Sequence, residues 1–346
     1  MQKKKIKFDN DSQINYNRKC AKNRITVLMI YLLVFMIVTV CAGCGNKSDD
    51  KNTENNTTTE AKHEEETKTL NFEQWYLDDS EGFAECVNSF AWGMDSPEGK
   101  ADIDISFSVG MKDFSIKRNV NIAVIDSKEE HGEHVINLLN DNDTENEYES
   151  ICSLEGINTF LVDIDYNNMD DDEVINSIEK AKQMGASICV MPFTTSIYSE
   201  RVMNSMKNAD MLFVCAAGND GVLISEEFET YPAMYGLSNV LIVGDERCDG
   251  KISDLSNYSN AYVDILAPGT DILCLDKNGF SYESGTSYAC AIAAGVCALV
   301  KAGSEKEYDS RELKNHICNL CLSDDDIKEK VKYGRINAIG DFLQNK

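Results

Sequence analysis

A serine at the start of an apolar helix is the first candidate for chemistry in this chain. The stretch 284–295 begins with the polar turn Gly285-Thr286-Ser287 and continues with small and apolar residues. Gly285 allows a sharp turn, and the free N–H groups of a first helical turn favour negative charge beside Ser287. The Ser287 hydroxyl could therefore attack a carbonyl while these N–H groups bind the oxyanion. Thr286 or Ser287 could equally be a helix N-cap, and this stretch alone does not separate the two roles.

An aspartate and two histidines occupy positions that could serve the same reaction. Val120–Asp126 predicts a buried parallel strand with Asp126 at its carboxyl end, where open α/β sheets place their chemistry. A predicted helix follows, with His131 and His134 near its start. A serine needs a base, imidazole is the base suited to neutral pH, and a buried carboxylate orients it. The other two histidines lie in a polar segment and near the C-terminus, so the base is His131 or His134.

Asn219 is a candidate for binding the oxyanion. It follows a predicted strand over 211–217 and lies in Gly218-Asn219-Asp220-Gly221, which alone indicates only a turn. A carboxamide N–H at a strand end can donate a hydrogen bond to the negative charge that develops on a carbonyl oxygen. Serine, imidazole, carboxylate and carboxamide together are the groups that acyl transfer needs.

A metal site is an alternative interpretation of the two histidines. His131 and His134 stand at i, i+3 on the predicted helix, whereas the helix-borne zinc motif needs i, i+4, and the sequence places no third ligand. The run 163–167 begins like a calcium-binding EF-hand loop but lacks its glycine and terminal glutamate. We therefore expect no metal and no cofactor, and we interpret His134 as a packed structural residue.

The elements that position these groups alternate between strand and helix. Such alternation predicts an α/β fold of three layers, with a mainly parallel sheet and helices on both faces. The predicted strands are 120–126, 156–165, 186–192, 211–217, 239–244 and 262–267; the predicted helices start at His131 and cover 171–185, 199–209, 287–303 and 310–320.

The N-terminal segment differs from the rest of the chain. Residues 1–24 are rich in lysine and arginine, and 25–42 is an uncharged apolar run of the kind found in export signals. Small residues precede Cys44, as in a bacterial lipobox. We expect 1–44 to be a signal peptide that leaves Cys44 lipidated, or else an N-terminal membrane anchor. Residues 45–70 predict a disordered polar tether, and 71–346 a globular domain.

The net charge and the cysteines indicate which partners the chain can bind and in which compartment it lies. The net charge of −26 repels phosphate backbones, so we expect no nucleic-acid partner. A lone CxxC at 318–321 has no second pair nearby. We expect a cell surface that sees little oxidant, because exported cysteines would otherwise pair. Four of the 13 cysteines stand in apolar runs and predict small buried hydrophobes: Cys189, Cys215, Cys290 and Cys297.

In chain order, these motifs resemble the subtilisin-like serine proteases, the subtilases of peptidase family S8. The resemblance covers about residues 72–340. It implies a subtilisin-like peptidase domain over 71–346, in which Asp126 orients the base His131 and His131 activates Ser287. It also implies that Asn219 and the Ser287 N–H bind the oxyanion. The matching segments are 122–127, 131–135, 217–220 and 285–289.

The sequence departs from the family at two places near these residues. Only 127–130 separates Asp126 from His131, where the family usually has a few tens of residues, and four residues span at most about 14 Å. Met191-Pro192-Phe193 stands where the family has a Ser-Leu-Gly that pairs with substrate backbone, and a proline lacks the N–H for such pairing. The resemblance assigns substrate binding to Met191, Pro192, Phe193 and Gly218.

The resemblance and the N-terminus together predict a serine endopeptidase anchored in the cell membrane and facing outward. Its partners would be a peptide or protein substrate and the membrane, reached through an N-terminal lipid or helix. The departures leave a second hypothesis open: a catalytically impaired surface protein of subtilase fold that binds a peptide. An Asp126–His131–Ser287 chain within hydrogen-bond reach would favour the enzyme. An Asp126 carboxylate turned away would favour the binder.

Overall fold

Nine strands lie in the part of the chain that the structure describes. The structure is a computed structural model that describes residues 115–140 and 150–337, apart from 153, 168, 248 and 278. The predicted anchor with Cys44 and the predicted tether lie outside these residues. The strands are β1 (Val120–Asp126), β2 (Ile157–Asp163), β3 (Ile188–Met191), β4 (Leu212–Ala216), β5 (Val240–Glu246), β6 (Ile265–Pro268), β7 (Ile272–Asp276), β8 (Gly279–Glu283) and β9 (Gly334–Arg335).

Seven of these strands form one parallel sheet in the order β2-β1-β3-β4-β5-β6-β9. The strands β7 and β8 form a separate antiparallel hairpin. The chain leaves β1 for β2 on one side and returns to β3 on the other side. The sheet therefore has a topological switch point between β1 and β3, and ligands bind outside the carboxyl ends of strands at such a point. Asp126 and Met191 stand at those two ends.

Helices cover both faces of the sheet, which confirms the predicted three-layer α/β fold. The helices α1, α4 and α5 pack on one face, and α2 and α3 on the other. In β1, Ile122 and Val124 belong to the core on the first face, whereas Ala123 and Ile125 belong to the core on the second, as the two-residue period of a strand requires. The α-helices of the described residues are α1 (Glu130–Leu139), α2 (Asp171–Gln183), α3 (Glu200–Asn208), α4 (Thr286–Gly303) and α5 (Ser310–Leu320).

The helix α4 is a core helix, as its composition predicts. Every residue of it except Lys301 is buried. Small side chains allow close packing, since a Cβ at Gly295 would lie 2.5 Å from Cγ2 of Ile151. Among the described residues, α4 is the one helix long and apolar enough to cross a membrane, but 94% of it is buried inside the protein. Burial on all sides explains its uniformly apolar sequence.

Three strands in the last quarter of the chain, β7, β8 and β9, are missing from the sequence-based prediction. The Asn-Gly pair at 278–279, between the apolar run 272–275 and the alternating run 280–283, is a hairpin signal that could have revealed β7 and β8. The two-residue strand β9 has no local pattern. It is held beside β6 by Arg335, whose guanidinium donates to Glu246 Oε1 (2.6 Å) and to Asp324 Oδ2 (2.7 Å).

The described cysteines behave as buried hydrophobes. Eight of them are free thiols, and all but Cys321 are buried, including the four predicted to be so. Burial raises the pKa of Cys318 to about 12, so this thiol stays protonated at neutral pH. The CxxC at 318–321 therefore has one buried, unreactive sulfur, and Cys321 is half-buried.

Candidate active site

Asp126 lies at the bottom of the site, fully buried at the carboxyl end of β1. Three donors satisfy its carboxylate. Oδ1 accepts from the Ser127 N–H (2.7 Å) and from the Tyr166 hydroxyl (2.8 Å). Oδ2 lies 2.8 Å from Nδ1 of His131. Hydrogen bonds of this kind offset the cost of burying a carboxylate.

The short connection between Asp126 and His131 does not keep the two side chains apart. The strand β1 ends at Asp126 and α1 begins at Glu130, so the chain turns within 127–129. This reversal of the chain brings the first helical turn of α1 against residues 127–129. A Cβ at Gly132 would lie 1.9 Å from the Ser127 carbonyl oxygen, so only glycine fits there. Gly132 thereby allows the helix to begin close enough for the Asp126–His131 contact.

His131 presents its second ring nitrogen away from the carboxylate. When Nδ1 is the protonated nitrogen and donates to Asp126, Nε2 is left as the acceptor. The side chain is 37% exposed, and its ring centre lies 5.7 Å from that of Tyr288. Burial raises the pKa of Tyr288 well above its usual value, so the ring beside His131 stays neutral.

Ser287 occupies the first turn of α4, directly before Tyr288. Its side chain is buried and its hydroxyl donates to the Pro192 carbonyl oxygen at 2.9 Å. Within the described part of the chain, no hydrogen bond joins Ser287 to His131. The structure therefore brings Asp126 and His131 into contact, and holds the Ser287 hydroxyl on the end of β3 instead.

Asn219 is held by the residue before Ser287. Its Oδ1 accepts from the Thr286 N–H and from the Thr286 hydroxyl, both at 2.8 Å. With the carbonyl side of the amide engaged twice, Nδ2 is the group left to donate to a ligand. Gly285 has φ +154°, and a Cβ there would lie 3.0 Å from Nδ2 of Asn219, so glycine keeps the space beside this nitrogen open.

A cleft of about 510 Å³ opens in front of His131. Its walls are aromatic and acidic, with Tyr166 and Tyr288 beside three glutamates. A second cavity of about 410 Å³ lies behind Phe193, which borders both spaces. The cleft is lined by Ser127, Glu129, Glu130, His131, His134, Tyr166, Pro192, Phe193, Glu283 and Tyr288.

The four residues predicted to bind substrate occupy different positions. Pro192 and Phe193 line the cleft, and the Phe193 ring packs edge-on against Tyr166 with centres 5.7 Å apart. Met191 is buried and borders only the second cavity. Gly218 is buried, and its N–H donates to the Thr286 hydroxyl at 3.1 Å, so it supports the Asn219 turn.

Tyr166 is a site residue that the sequence motifs do not reveal. Its ring is partly exposed in the cleft while its hydroxyl donates to the buried Asp126. Burial, with the Asp126 charge, raises the pKa of Tyr166 well above its usual value, so the hydroxyl remains a donor. Tyr166 stands 40 residues from Asp126 in the loop after β2, and only the pairing of β1 with β2 brings it there.

A comparison with models of protein families identifies the family of this chain. The model of the family described as "Peptidase_S8: Subtilase family" matches residues 11–334, which is most of the chain. The chain therefore belongs to the subtilase family, and the resemblance found in its motifs is confirmed.

Individual relatives match over shorter stretches. The chain is 30% identical over 170 residues to the thermophilic serine proteinase of Bacillus sp. strain AK1, a match that covers 48% of this chain and 40% of the relative. It is 39% identical over 111 residues to an intracellular serine protease of Paenibacillus polymyxa, covering 30% of this chain and 33% of the relative. The matches thus span less than half of each relative's length.

Solved structures share the fold. The prenylagaramide maturation protease PagA superposes with a TM-score of 0.59 at 22% identity, covering 70% of this chain and 99% of that one. The self-cleaved protease domain of PatA gives a TM-score of 0.57 at 24% identity, covering 66% of this chain and 97% of that one. At these identities the likeness supports the architecture.

The close approach at Gly132 predicts a measurable loss of stability. Replacing Gly132 with alanine forces the new methyl group into the Ser127 carbonyl, and we expect the free energy of unfolding to fall by about 3 kcal/mol. Urea denaturation of the full chain measures this. Gly236→Ala is the control, because its Cβ meets nothing within 4 Å and only its φ of +61° is unfavourable, at about 1 kcal/mol. Equal losses in the two variants would contradict the packing argument.

Proposed function

We propose that this chain is a membrane-anchored extracellular serine endopeptidase that uses Asp126, His131 and Ser287. The 2.8 Å contact between Asp126 Oδ2 and His131 Nδ1 is the observation that supports the proposal most directly. A buried carboxylate that binds one imidazole nitrogen fixes the tautomer and leaves the other nitrogen to act as a base. Membership of the subtilase family supports the same class of reaction.

In the proposed reaction, His131 acts first as a base and then as an acid. Nε2 takes the proton from the Ser287 hydroxyl as Oγ attacks the substrate carbonyl carbon, and Asp126 stabilises the imidazolium that forms. His131 then gives this proton to the leaving amine, which breaks the peptide bond and leaves an acyl-enzyme. A water molecule repeats the sequence and releases the acid.

The proposed nucleophile must turn before it reacts. In the structure the Ser287 hydroxyl donates to Pro192, so it has to leave that carbonyl and rotate about its Cα–Cβ bond toward His131. Hydrogen bonds between catalytic groups are often incomplete without substrate and form in the complex. The Pro192 carbonyl then becomes free to accept a hydrogen bond from substrate backbone.

The proposed oxyanion hole combines a side chain with the end of a helix. Thr286 holds Asn219 by its oxygen, so Nδ2 is pre-oriented as a donor. The Ser287 N–H belongs to the first turn of α4, whose N–H groups lack acceptors within the helix. In subtilisin, loss of one such side-chain donor costs about 10²–10³ in kcat.

A peptide-binding protein without activity is the second candidate function. The observation that favours it is the Ser287 hydroxyl, which donates to Pro192 and not to His131. Pro192 also lacks the N–H with which a strand could pair with substrate. The Asp126–His131 contact favours the enzyme, because a protein that only binds peptides has no use for an oriented base.

Replacing Ser287 with alanine should abolish both hydrolysis and labelling. The wild-type full chain in mild detergent is expected to react with a fluorophosphonate probe and to cleave a fluorogenic peptide library, because Ser287 is the proposed nucleophile. Ser287→Ala should lose both activities and keep the wild-type melting temperature. In-gel fluorescence and peptide fluorescence measure the two effects.

Ser310→Ala is the matched control for that experiment. Ser310 also begins a helix but lies on α5, away from the cleft, so its loss should leave both signals unchanged. Labelling that persists in Ser287→Ala would refute the proposed nucleophile. A wild type that binds peptides, yet neither cleaves nor reacts, would establish the second candidate instead.

Tyr166→Phe should lower the turnover number. The change removes one of the three donors to Asp126, and we expect kcat to fall about tenfold with KM unchanged, as the loss of a hydrogen bond to a charged group suggests. Steady-state kinetics separate the two constants. Tyr198→Phe is the control, since the Tyr198 ring packs on Tyr231 and away from Asp126. A raised KM with normal kcat would mean that Tyr166 contacts substrate and does not position Asp126.

We also propose that the N-terminus anchors the enzyme to the outer face of the cell membrane. The proposal rests on the basic segment 1–24, the apolar run 25–42 and the small residues before Cys44. The substrate would then be a peptide or protein outside the membrane. Nucleic acid is not a proposed partner, because the net charge of the chain is −26.

Cys44→Ser distinguishes a lipid anchor from a retained helix. In a bacterial host fed an alkyne fatty acid, the wild type should appear in the membrane fraction, take up the label and be accessible to external protease. The variant should lose the label if Cys44 is lipidated. Membrane association without label in the wild type would establish the helix instead, and recovery in the cytosol would refute anchoring. Cys321→Ser is the control for labelling at other cysteines.

A further inference from the structure

A second cluster of polar side chains lies beside the proposed base and takes no part in the proposed reaction. Glu130 and His134 stand at i and i+4 of α1, and Asp276 ends β7. One oxygen or nitrogen from each of the three lies within 4.8 Å of the other two. Glu130 is exposed to the cleft, whereas His134 and Asp276 are buried.

The His134 imidazole indicates that this cluster binds a ligand. Its side chain is 3% exposed, and Nε2 is buried without a hydrogen-bond partner. Asp276 Oδ2 lies 3.8 Å from this nitrogen, which is beyond hydrogen-bond distance. A buried polar atom without a partner destabilises the folded protein. A bound ion that accepts the lone pair of Nε2 would remove this cost.

Neighbouring contacts already hold the β7–β8 hairpin against this face of α1. Asn137 Nδ2 donates to the Leu275 carbonyl at 2.8 Å, and Lys277 Nζ pairs with Glu133 Oε1 at 3.3 Å. Leu275 and Lys277 flank Asp276 in the chain. The position of Asp276 opposite His134 is therefore set by the residues on either side of it.

We propose that Glu130, His134 and Asp276 bind one divalent transition-metal ion, with Zn²⁺ as the best match. One imidazole nitrogen and two carboxylate oxygens suit Zn²⁺, whereas Ca²⁺ and Mg²⁺ prefer oxygen ligands alone. The cleft on the Glu130 side leaves a fourth position for water. Two further carboxylates of the cleft, Glu129 and Glu283, add negative charge that favours a cation.

The ligand atoms stand slightly wider apart than a bound ion requires. Zn²⁺ holds nitrogen and oxygen at about 2.0–2.2 Å, so two tetrahedral ligands lie about 3.4 Å from each other. The observed separation of His134 Nε2 and Asp276 Oδ2 is 3.8 Å. Small side-chain rotations close this gap, and the exposed Glu130 can turn onto the ion. The bound ion would then join α1 to the hairpin that precedes α4.

The tertiary structure supplies the spacing that the histidine pair lacks. His131 is not one of the three residues whose ligand atoms converge at this site. Glu130 and His134 provide the i, i+4 pair on one helix face, and the hairpin provides the third ligand. The proposal does not rest on the proposed peptidase function, because none of the three ligands belongs to the proposed catalytic triad.

Titration of the metal-free chain with Zn²⁺ and Co²⁺ tests the site. The full chain, as Ser287→Ala in mild detergent to prevent self-cleavage, is expected to bind one equivalent of Zn²⁺ by calorimetry and to melt at a higher temperature with it. Bound Co²⁺ should show visible bands of a tetrahedral site without a thiolate charge-transfer band. Ca²⁺ and Mg²⁺ should give no comparable shift.

Two variants remove a ligand and one leaves all three in place. Glu130→Gln and Asp276→Asn should each weaken Zn²⁺ binding at least about tenfold, because even supporting residues of metal sites contribute that much. Glu130→Gln changes an exposed residue, so a folding defect would not confound it. Glu133→Gln is the matched control. It is one turn away on α1 and pairs with Lys277, so it should bind within about twofold of the parent.

Further variants locate the ion. His131→Ala should retain binding if the ion lies at Glu130, His134 and Asp276, and Cys321→Ser should retain it if no thiol is a ligand. Loss of binding in either variant, or a thiolate band with Co²⁺, would overturn the proposal. So would equal affinities of Glu130→Gln, Asp276→Asn and the parent, or the absence of a saturable Zn²⁺ isotherm.

Discussion

The burial of the Asp126 carboxylate is the constraint on which the site depends. A charge at the end of a buried strand is costly unless donors surround it, and here they come from three different elements. The chain directly after β1 gives one donor, α1 gives His131, and the loop after β2 gives Tyr166. Because α1 must reach the carboxylate within a few residues, it presses against its own connection, and Gly132 is the residue that makes this possible.

The other half of the site is organised around Thr286. Its N–H and hydroxyl both hold Asn219, and its hydroxyl also accepts from Gly218, so the end of β4 and the start of α4 form one unit. Ser287 follows at once and contacts the end of β3. The two halves meet at the switch point between β1 and β3, where parallel strands leave space for a ligand.

The helix α1 has two polar faces near its start. One face directs His131 to Asp126, and the other directs His134 toward Asp276 on the hairpin. The proposed ion would therefore stiffen the helix that holds the proposed base without touching the reacting groups. The shortened Asp126–His131 connection brings both faces close to the cleft, since Glu130 and His131 are adjacent.

The sequence by itself determined the fold class and the family, and it predicted catalytic roles for Asp126, His131, Asn219 and Ser287. The fold class follows from the periods of strands and helices, which short windows reveal, whereas the family and the predicted roles follow from the resemblance of the ordered motifs to the subtilases. Val120–Asp126 and Ser310–Leu320 have the bounds that their patterns predict. Only the tertiary structure decided that four residues suffice between Asp126 and His131, that Ser287 contacts Pro192, that Tyr166 reaches Asp126, and that Asp276 lies opposite His134. These contacts join residues distant in the chain or depend on a single close approach at Gly132, and no local pattern encodes such a distance.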